Sequence, residues 1–424
     1  MSLDRSTTVQ SQRSITYDMS IIDESITAPP VEELLEKGVD PDDEYEGIRN
    51  RGWVYISEAF PGSNALQISF IGSMQSGLIN LLGLFLPLVI QLAGYRGTML
   101  IGTILAPLGL IAASFTTELW QLYLTQGLMF GIGGALGYQP AMMIPAQYLR
   151  RNRSLAAGIC ICGSGVGGLA LNPVSPYKMK VSFISNYGFR ASLRYHGIIG
   201  LGVMLIGNLL TKPKYSMPKT KLRNFKFFDT SLLTLPMSLL LLFSFLVPFG
   251  YLVPFYMIPM YAVSIGLTAE QGALILAIGS GVNAISRVVF GTMADKWLGR
   301  INVMFALTLL SGLSTMLIWP FAKSYACLLV YFLIYSASAG VFQSVLPAIT
   351  TDLCGVDHIA HGMTMYFLAA GPGFLLGTPI AGLIFDSSNY LTVIEISASL
   401  TVLASLAALA LRVVIGGWKP FTKV

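Results

Sequence analysis

Charged residues are scarce in this sequence. They make up 11% of its 424 residues, whereas 54% are hydrophobic and the mean hydropathy is +0.67. Soluble domains carry roughly 25% charged residues, so the composition excludes an ordinary soluble enzyme. It also excludes a disordered chain, because such chains are poor in apolar residues. The composition predicts a helical protein that crosses the lipid bilayer many times.

Residues that catalysis or cofactor binding would need are also missing. The glycine-rich segment 158–168 lacks the Lys-Ser/Thr that ends a phosphate-binding loop. His358 and His361 offer only two candidate metal ligands beside Asp357. We therefore expect no enzyme activity, no metal or other cofactor and no nucleic-acid partner. The four cysteines lack zinc-ligand and redox spacing, and we interpret them as small buried apolar residues: Cys160, Cys162, Cys327 and Cys354.

Charge is distributed unevenly along the chain. Residues 1–51 contain twelve acidic and five basic residues, a net charge of −7, and the remainder has a net charge of +12. The first segment has no long apolar run, so we predict a disordered acidic tail. It also lacks the cationic start and apolar core of a cleavable signal peptide.

Long apolar runs fill the rest of the chain. A bilayer core is roughly 30 Å thick and is crossed by about 20 apolar residues in a helix. Eleven runs fit this length, and they predict an all-α polytopic membrane protein with about eleven transmembrane helices: 66–92, 96–115, 119–144, 155–177, 191–211, 231–263, 270–294, 302–322, 325–350, 362–386 and 391–416.

The longest segment between two apolar runs is rich in basic residues, and five runs precede it and six follow it. Loops on one side of the predicted membrane contain fifteen Lys and Arg residues and the alternate loops contain five, so the first set is predicted to be cytoplasmic. The basic cluster at 178–194 does not fit this bias. We expect an N-terminal bundle, a basic cytoplasmic linker, a six-helix C-terminal bundle and a cytoplasmic tail, at 52–211, 212–230, 231–416 and 417–424.

The N-terminal bundle is one helix short of six. Residues 52–60 begin like a membrane helix, but Pro61 and Gly62 follow after about two turns, which is too short to cross hydrocarbon. Either the first helix has been lost, or this segment forms an interfacial or re-entrant piece.

A loop motif occurs twice, once in each half. Parallel repeats of this kind are typical of two-bundle transporters. The second copy, Gly291, Asp295, Gly299 and Arg300, resembles the G-x-x-x-D-[RK]-x-G-R motif of the major facilitator superfamily, with one extra residue. Each copy has a small residue or proline, a polar residue four positions later, then Gly and Arg: Pro87, Gln91, Gly94 and Arg96 in the first, and Gly291, Asp295, Gly299 and Arg300 in the second.

A second motif points to one branch of this superfamily. Residues 148–158, followed by Gly163-Ser164-Gly165, resemble the fifth-helix signature of the monocarboxylate-transporter-like branch of that superfamily, in its fungal-type form. Residues 371–382 resemble the same branch's eleventh helix. The resemblance covers roughly residues 52–416. It implies a two-bundle fold, a plasma-membrane location and residues that switch the conformation: Arg150, Arg151, Arg153, Gly158, Gly291, Asp295, Gly299 and Arg300.

Ionisable residues inside membrane spans are functional candidates, because burying them is costly. Only Arg287 and Glu395 lie well inside the runs. Arg287 follows Asn283 by four residues, which places both on one helical face. Similar family members have an Asp–Arg pair at this spacing, which implies that the arginine binds a substrate carboxylate and the acid couples protons. Asn283 cannot titrate, whereas arginine stays charged at physiological pH.

Other polar and aromatic side chains could line a central cavity around Arg287: Tyr138, Gln139, Asn172, Tyr251, Tyr256, Tyr335 and Gln343. Each of them also fits helix packing or the aromatic belt of a membrane protein. The predicted substrate-binding set is Arg287, Asn283, Asn172, Gln139, Tyr256 and Gln343.

Two functional hypotheses follow. The first is a secondary-active or facilitative transporter that moves a small organic anion, of the monocarboxylate kind, by alternating access. Its expected partners are the lipid bilayer, the anion and protons. The second is a non-transporting membrane sensor, or a truncated product, because the missing helix removes a wall of the pathway. Arg287 and the repeats favour transport, and the odd helix count favours the alternative.

Overall fold

The computed structural model describes residues 65–149, 151–171, 181–214 and 230–417. Several predictions lie outside these described residues and are untested: the acidic tail, the short first segment, Arg150, Asn172, most of the basic linker and the last seven residues. The division of the chain into two bundles also stays a prediction. Below, the N-terminal half means residues 65–214 and the C-terminal half means residues 230–417.

Helices make up the regular structure of the described ranges, in which there is no strand. Each of the eleven predicted runs coincides with helical structure as far as it is described. A four-residue α-helix, Leu119–Leu122, and a π-helix, Tyr123–Met129, come directly before α3. The main helices are α1 Ala65–Leu81, α2 Leu86–Ala113, α3 Phe130–Tyr148, α4 Arg153–Leu171, α5 Val181–Leu210, α6 Leu235–Tyr251, α7 Val253–Ser264, α8 Ala269–Met293, α9 Arg300–Leu317, α10 Tyr325–Ala339, α11 Phe342–Cys354, α12 Ile359–Ser387 and α13 Tyr390–Gly416.

The helices have the length and surface that a membrane requires. In α5, Ile198, Val203 and Leu209 are each more than half exposed, and apolar surface of this extent belongs against lipid. The predicted all-α polytopic membrane fold is confirmed. Within the described part of the chain, eight stretches are long and apolar enough to cross a membrane: Phe70–Ala113, Arg190–Leu210, Leu235–Ser264, Glu270–Leu298, Arg300–Phe321, Tyr325–Cys354, Ile359–Ser387 and Tyr390–Gly416.

The repeated loop motif has the same backbone conformation in both halves. Gly94 has φ 70° and ψ 168° and interrupts the stretch Phe70–Ala113, so that this stretch covers two predicted runs. Gly299 has φ 87° and ψ 148° and separates α8 from α9. A side chain is strained at positive φ, so both turns favour glycine.

Polar residues just before the helices fix where several of them begin. The Thr268 hydroxyl accepts a hydrogen bond from the backbone N–H of Gln271, and the Gln271 amide oxygen accepts one from the Thr268 N–H. This reciprocal arrangement satisfies donors that the first turn of a helix leaves unpaired. Three other helices are capped by one side-chain oxygen that accepts a backbone N–H: α6 by Thr234, α10 by Ser324 and α13 by Asn389.

Two helix pairs provide most of the contact between the halves, α4 with α8 and α1 with α12. Glycines allow the close approach, as small residues commonly do in membrane proteins. A Cβ at Gly165 in α4 would lie 2.7 Å from the Ala284 Cβ in α8. A Cβ at Gly77 in α1 would lie 2.6 Å from the Leu375 Cβ in α12.

The largest buried side chains lie mainly in the C-terminal half. Trp319 stacks on Tyr331, with ring centroids 5.2 Å apart, and Tyr261 meets Trp319 edge to face. Such aromatic pairs contribute about 0.5–1.5 kcal/mol beyond their buried area. They make this half a rigid frame for α8, which carries Arg287.

The interpretation of the cysteines as buried residues is wrong. Cys160 and Cys327 are exposed, Cys162 and Cys354 are partly buried, and all four are free thiols. The physical reason is that helices in a bilayer turn apolar side chains outward as well as inward, so a small apolar residue in a span need not be buried.

We predict that Gly133→Val destabilises the protein. Gly133 in α3 packs so tightly on the backbone of Ala106 in α2 that any Cβ would overlap its nitrogen. Overpacking of this kind lowers the free energy of unfolding by about 1–3 kcal/mol or more. The measurement is the thermal unfolding midpoint of the purified protein. Gly202→Val is the control, because a Cβ at Gly202 meets no atom within 4 Å. Equal midpoints for the two variants would contradict this packing.

Candidate functional site

The side chain of Arg287 lies at the centre of the contact between the halves. It is 3% exposed. Its Nη1 donates hydrogen bonds to the Ser164 hydroxyl at 2.6 Å and to the Ile161 carbonyl at 3.0 Å, both in α4 of the N-terminal half. Its Nη2 donates to the Tyr251 hydroxyl at 3.1 Å in α6 of its own half. One guanidinium therefore joins both halves.

The hydrogen-bond acceptors around Arg287 are all neutral among the described residues, and its buried Nε has no partner there. Burying a charge is costly unless it is paired. Neutral oxygens satisfy part of the guanidinium but leave its charge uncompensated. The site is therefore suited to receive an anion.

Asn283 lies beside this guanidinium. It is 4% exposed, and its Nδ2 donates to the Ser336 carbonyl in α10 at 2.7 Å. Gly340, between α10 and α11, faces both side chains, because a Cβ there would lie 2.9 Å from the Arg287 Nε and 2.9 Å from the Asn283 Oδ1. The absence of a side chain at Gly340 is what leaves room for the pair.

Aromatic rings hold Tyr251 in place. Its ring meets Phe255, Phe342 and Phe374 at centroid distances of 5.7, 5.3 and 6.4 Å. Its backbone carbonyl accepts a hydrogen bond from the Tyr335 hydroxyl at 2.7 Å. The Tyr251 hydroxyl is therefore fixed in position as an acceptor for Arg287.

Two other tyrosines border the space between the halves. The Tyr138 ring in α3 meets Phe367 in α12 edge to face at 6.4 Å, and Tyr138 lies within electrostatic range of Arg287 and Cys160. Tyr138 is nevertheless 36% exposed. Because its neighbours belong to both halves, this exposed surface faces the space between them. Tyr256, in the C-terminal half, is 53% exposed, and its hydroxyl lies 3.8 Å from where a Cβ at Gly72 in α1 of the N-terminal half would be.

The remaining predicted site residues are not brought to Arg287 by any described contact. Gln139 is fully buried within the N-terminal half, where its Nε2 donates to the Ile79 carbonyl. Gln343 lies partly buried in the first turn of α11, and Glu395 lies partly buried near the start of α13.

Ser164 is the contact that the sequence analysis did not predict. The signal was present in the run Gly163-Ser164-Gly165, in which Gly165 lets α4 approach α8. The run alone does not show which side of α4 faces Arg287. Only the packing of the two helices brings the Ser164 hydroxyl to the guanidinium.

A second polar cluster joins the halves at the end predicted to be cytoplasmic. Arg153 at the start of α4 donates to Asp352 in α11 at 2.9 Å. Arg300 pairs with Asp352 and, at 2.8 Å, with Asp295. Asp295 also accepts the backbone N–H of Leu155 at 3.0 Å. We call Arg153, Asp295, Arg300 and Asp352 the polar latch. Asp352 is the member that the sequence analysis missed.

The predicted switch glycines lie along the same seam. A Cβ at Gly158 would lie 2.5 Å from the Arg287 carbonyl oxygen, and a Cβ at Gly291 would lie 2.8 Å from the Ser154 carbonyl oxygen. The glycines therefore set the distance between α4 and α8 on the latch side of Arg287. Arg151, exposed at this end, lines a cavity beside the latch.

The fold and the site define a polytopic helical membrane protein in which a buried arginine, Arg287, forms hydrogen bonds to neutral groups across the contact between two helical halves. The sequence matches the model of the Major Facilitator Superfamily over residues 51–302 and 283–421. The chain belongs to this family, as its motifs predicted. The family is one of membrane transporters and not of enzymes.

Individual relatives agree with this assignment. The chain is 28% identical to monocarboxylate transporter 2 of Meriones unguiculatus, covering 79% of this chain and 73% of the relative. It is 26% identical to the MFS-type transporter opdF of Penicillium oxalicum, covering 76% and 75%. Its fold is similar to that of the proton:xylose symporter XylE, with a TM-score of 0.67 and 14% identity over 88% of this chain and 92% of that one.

We predict that Asp352→Asn weakens the polar latch. The change removes the carboxylate that pairs with Arg153, a residue only 8% exposed, and with Arg300. Because Asp352 itself is about half exposed, the expected decrease in the free energy of unfolding is modest, about 1 kcal/mol. The thermal unfolding midpoint measures this decrease. Asp386→Asn, which removes an exposed carboxylate near the C-terminal end of α12, is the control. A midpoint for Asp352→Asn no lower than that of the control would contradict the latch.

Proposed function

We propose that the protein transports a small organic anion of the monocarboxylate class across the membrane by alternating access. Arg287 binds the carboxylate, and the two halves rock about it. We further propose that the plasma membrane is the site of this transport, as the family resemblance suggests.

The observation that carries the proposal is the buried guanidinium of Arg287 with neutral acceptors from both halves. A neutral oxygen only accepts a hydrogen bond from the guanidinium, whereas a carboxylate also pairs its negative charge with it and can accept two parallel N–H bonds. An arriving carboxylate can therefore replace the Ser164 hydroxyl or the Ile161 carbonyl as the acceptor. That exchange removes the bonds between Arg287 and α4, and so loosens the contact between the halves when substrate is present.

The surroundings of Arg287 support a small anion with an apolar body. Phe342 and Phe374 pack against Tyr251 next to the guanidinium, and Tyr138 borders the space between the halves. One cation with apolar and phenolic neighbours is the usual composition of a site for a small acid. The relative named monocarboxylate transporter 2 supports the same substrate class.

The polar latch supports alternating access. It joins the halves only at the predicted cytoplasmic end, through residues that a rocking motion would separate. In the arrangement described here the latch is closed, so we infer that the site would be reached from the opposite side.

Proton coupling is expected from the family resemblance, but position 283 cannot supply it. An asparagine amide does not titrate, and Asn283 already donates its Nδ2 hydrogen bond to Ser336. We therefore propose that any proton symport runs through another group, and that anion binding at Arg287 is independent of protonation at position 283.

We predict that Arg287→Gln reduces monocarboxylate uptake in reconstituted vesicles by about a hundred-fold or more, because charge-assisted hydrogen bonds to the substrate are lost. Uptake of a labelled panel including pyruvate and lactate, with and without a pH gradient, is the measurement. Arg412→Gln is the matched control, since Arg412 is also a buried arginine, 7% exposed, but bonds to Asn302.

Normal uptake by Arg287→Gln at equal protein levels would remove Arg287 from the binding site. Anion binding by the unchanged protein without any uptake would overturn transport and favour the membrane sensor.

A further inference from the structure

Two arginines of α5 lie at the end of the protein that is predicted to be non-cytoplasmic. Arg190 and Arg194, which we call the basic pair, are both exposed. They are four residues apart, which places them on one face of the helix. They belong to the basic cluster 178–194, which does not fit the charge bias between the predicted loops. Their presence at this end therefore calls for a local explanation.

Both guanidinium groups are held against the same short segment at the end of α2. The Arg190 Nη2 donates to the Thr116 carbonyl at 3.1 Å, and the Arg194 Nε donates to the Ser114 hydroxyl at 3.1 Å. The Arg194 guanidinium also lies over the Phe115 ring, 4.8 Å from its centroid. The two acceptors are two residues apart in the chain, so the two guanidinium groups lie near each other. Because these contacts already restrain both side chains, less rotamer entropy is lost when a ligand binds them.

The positive charge of the basic pair is not compensated by these contacts. The groups that the two arginines contact are neutral, and no described acidic residue forms an ion pair with either of them. This includes Glu118, which is exposed two residues beyond Thr116. Each guanidinium keeps most of its N–H donors, because the described hydrogen bonds use one of them. The remaining donors suit an anion, and the planar fork of an arginine matches phosphate in particular.

The face of α5 that carries the basic pair continues as exposed apolar surface. Ile198 follows Arg194 by four residues and is 59% exposed, and the exposed Leu205 continues the same face. Among the eight stretches that could cross a membrane, Arg190–Leu210 is the least buried, so this face belongs against lipid. Trp120, in the short helix that follows α2, is 58% exposed. Exposed tryptophans at the ends of membrane spans lie at the level of the lipid headgroups, and the basic pair therefore lies near that level.

We propose that Arg190 and Arg194 bind the phosphate group of a membrane phospholipid. The phosphate lies between the two guanidinium groups, and an acyl chain lies along Ile198 and Leu205. The uncompensated charge of the basic pair favours the phosphate, and the apolar face beside it favours a lipid over free phosphate. The site does not depend on the proposed transport, because none of its residues bonds to Arg287.

Lipid binding to the purified full-length protein in a neutral detergent tests this site and needs no transport substrate. The thermal unfolding midpoint is followed while dioctanoyl phosphatidylglycerol, dioctanoylglycerol or inorganic phosphate is added. We expect a saturable rise with phosphatidylglycerol and little effect of the other two, because only phosphatidylglycerol combines a phosphate with acyl chains. The concentration that gives half of this rise should increase by roughly five-fold in R190Q and in R194Q, since each variant removes one charge.

Lys323→Gln is the matched control, because Lys323 is an exposed basic residue at the same predicted end but belongs to the C-terminal half. It should respond to phosphatidylglycerol at the same concentration as the unchanged protein. Equal half-rise concentrations in R190Q, R194Q and Lys323→Gln would overturn the site. An equal response to dioctanoylglycerol would overturn the phosphate as the recognised group, and an equal response to inorganic phosphate would overturn the lipid as the ligand.

A second measurement leaves both arginines in place. Phosphatidylglycerol with brominated chains should quench tryptophan fluorescence more than dioctanoylglycerol with brominated chains does. Trp120→Phe should remove most of that difference, because Trp120 is the exposed tryptophan nearest in sequence to the segment that holds the basic pair. A difference that is unchanged in Trp120→Phe would place the lipid elsewhere and overturn the site.

Discussion

The structure depends on the buried guanidinium of Arg287, which donates hydrogen bonds to neutral oxygens from both halves of the protein. Arg287 reaches across the seam to Ser164 and Ile161, and it is held on its own side by Tyr251. A charge in this position costs free energy unless it is paired. The site is stable enough to form, yet an anion can improve on its hydrogen bonds. In the proposed transport, anion binding and the movement of the halves are thereby linked at one side chain.

The packing around Arg287 is consistent with the proposed coupling between anion binding and movement of the halves. Gly158 lets α4 lie against the backbone carbonyl of Arg287, and Gly340 leaves space beside its side chain. Helices that touch through glycines have few interlocking side chains, so they can separate with little repacking. Farther along the seam, Arg153 and Asp352 add a polar contact that closes one end. Under the proposed alternating access, the closed end and the central cation belong to one state of the cycle.

Much of this could be predicted from the sequence, because the bilayer imposes simple rules on length and polarity. The eleven apolar runs predicted the helices, and the repeated motif predicted matching turns, which the positive φ of Gly94 and Gly299 bears out. Arg287 stood out as a charge inside a span. Ser164 and Asp352 did not, because one looks like any small polar residue and the other like any helix-end charge. Their roles depend on which helices face each other, and periodicity does not contain that information.

The central claim is that a carboxylate replaces neutral acceptors on Arg287. A structure of the protein determined with a bound monocarboxylate such as pyruvate tests this most directly. The account predicts the carboxylate within hydrogen-bond distance of the Arg287 guanidinium, with at least one of the bonds to Ser164 and Ile161 broken. A carboxylate bound elsewhere, with both of those bonds intact, would contradict it.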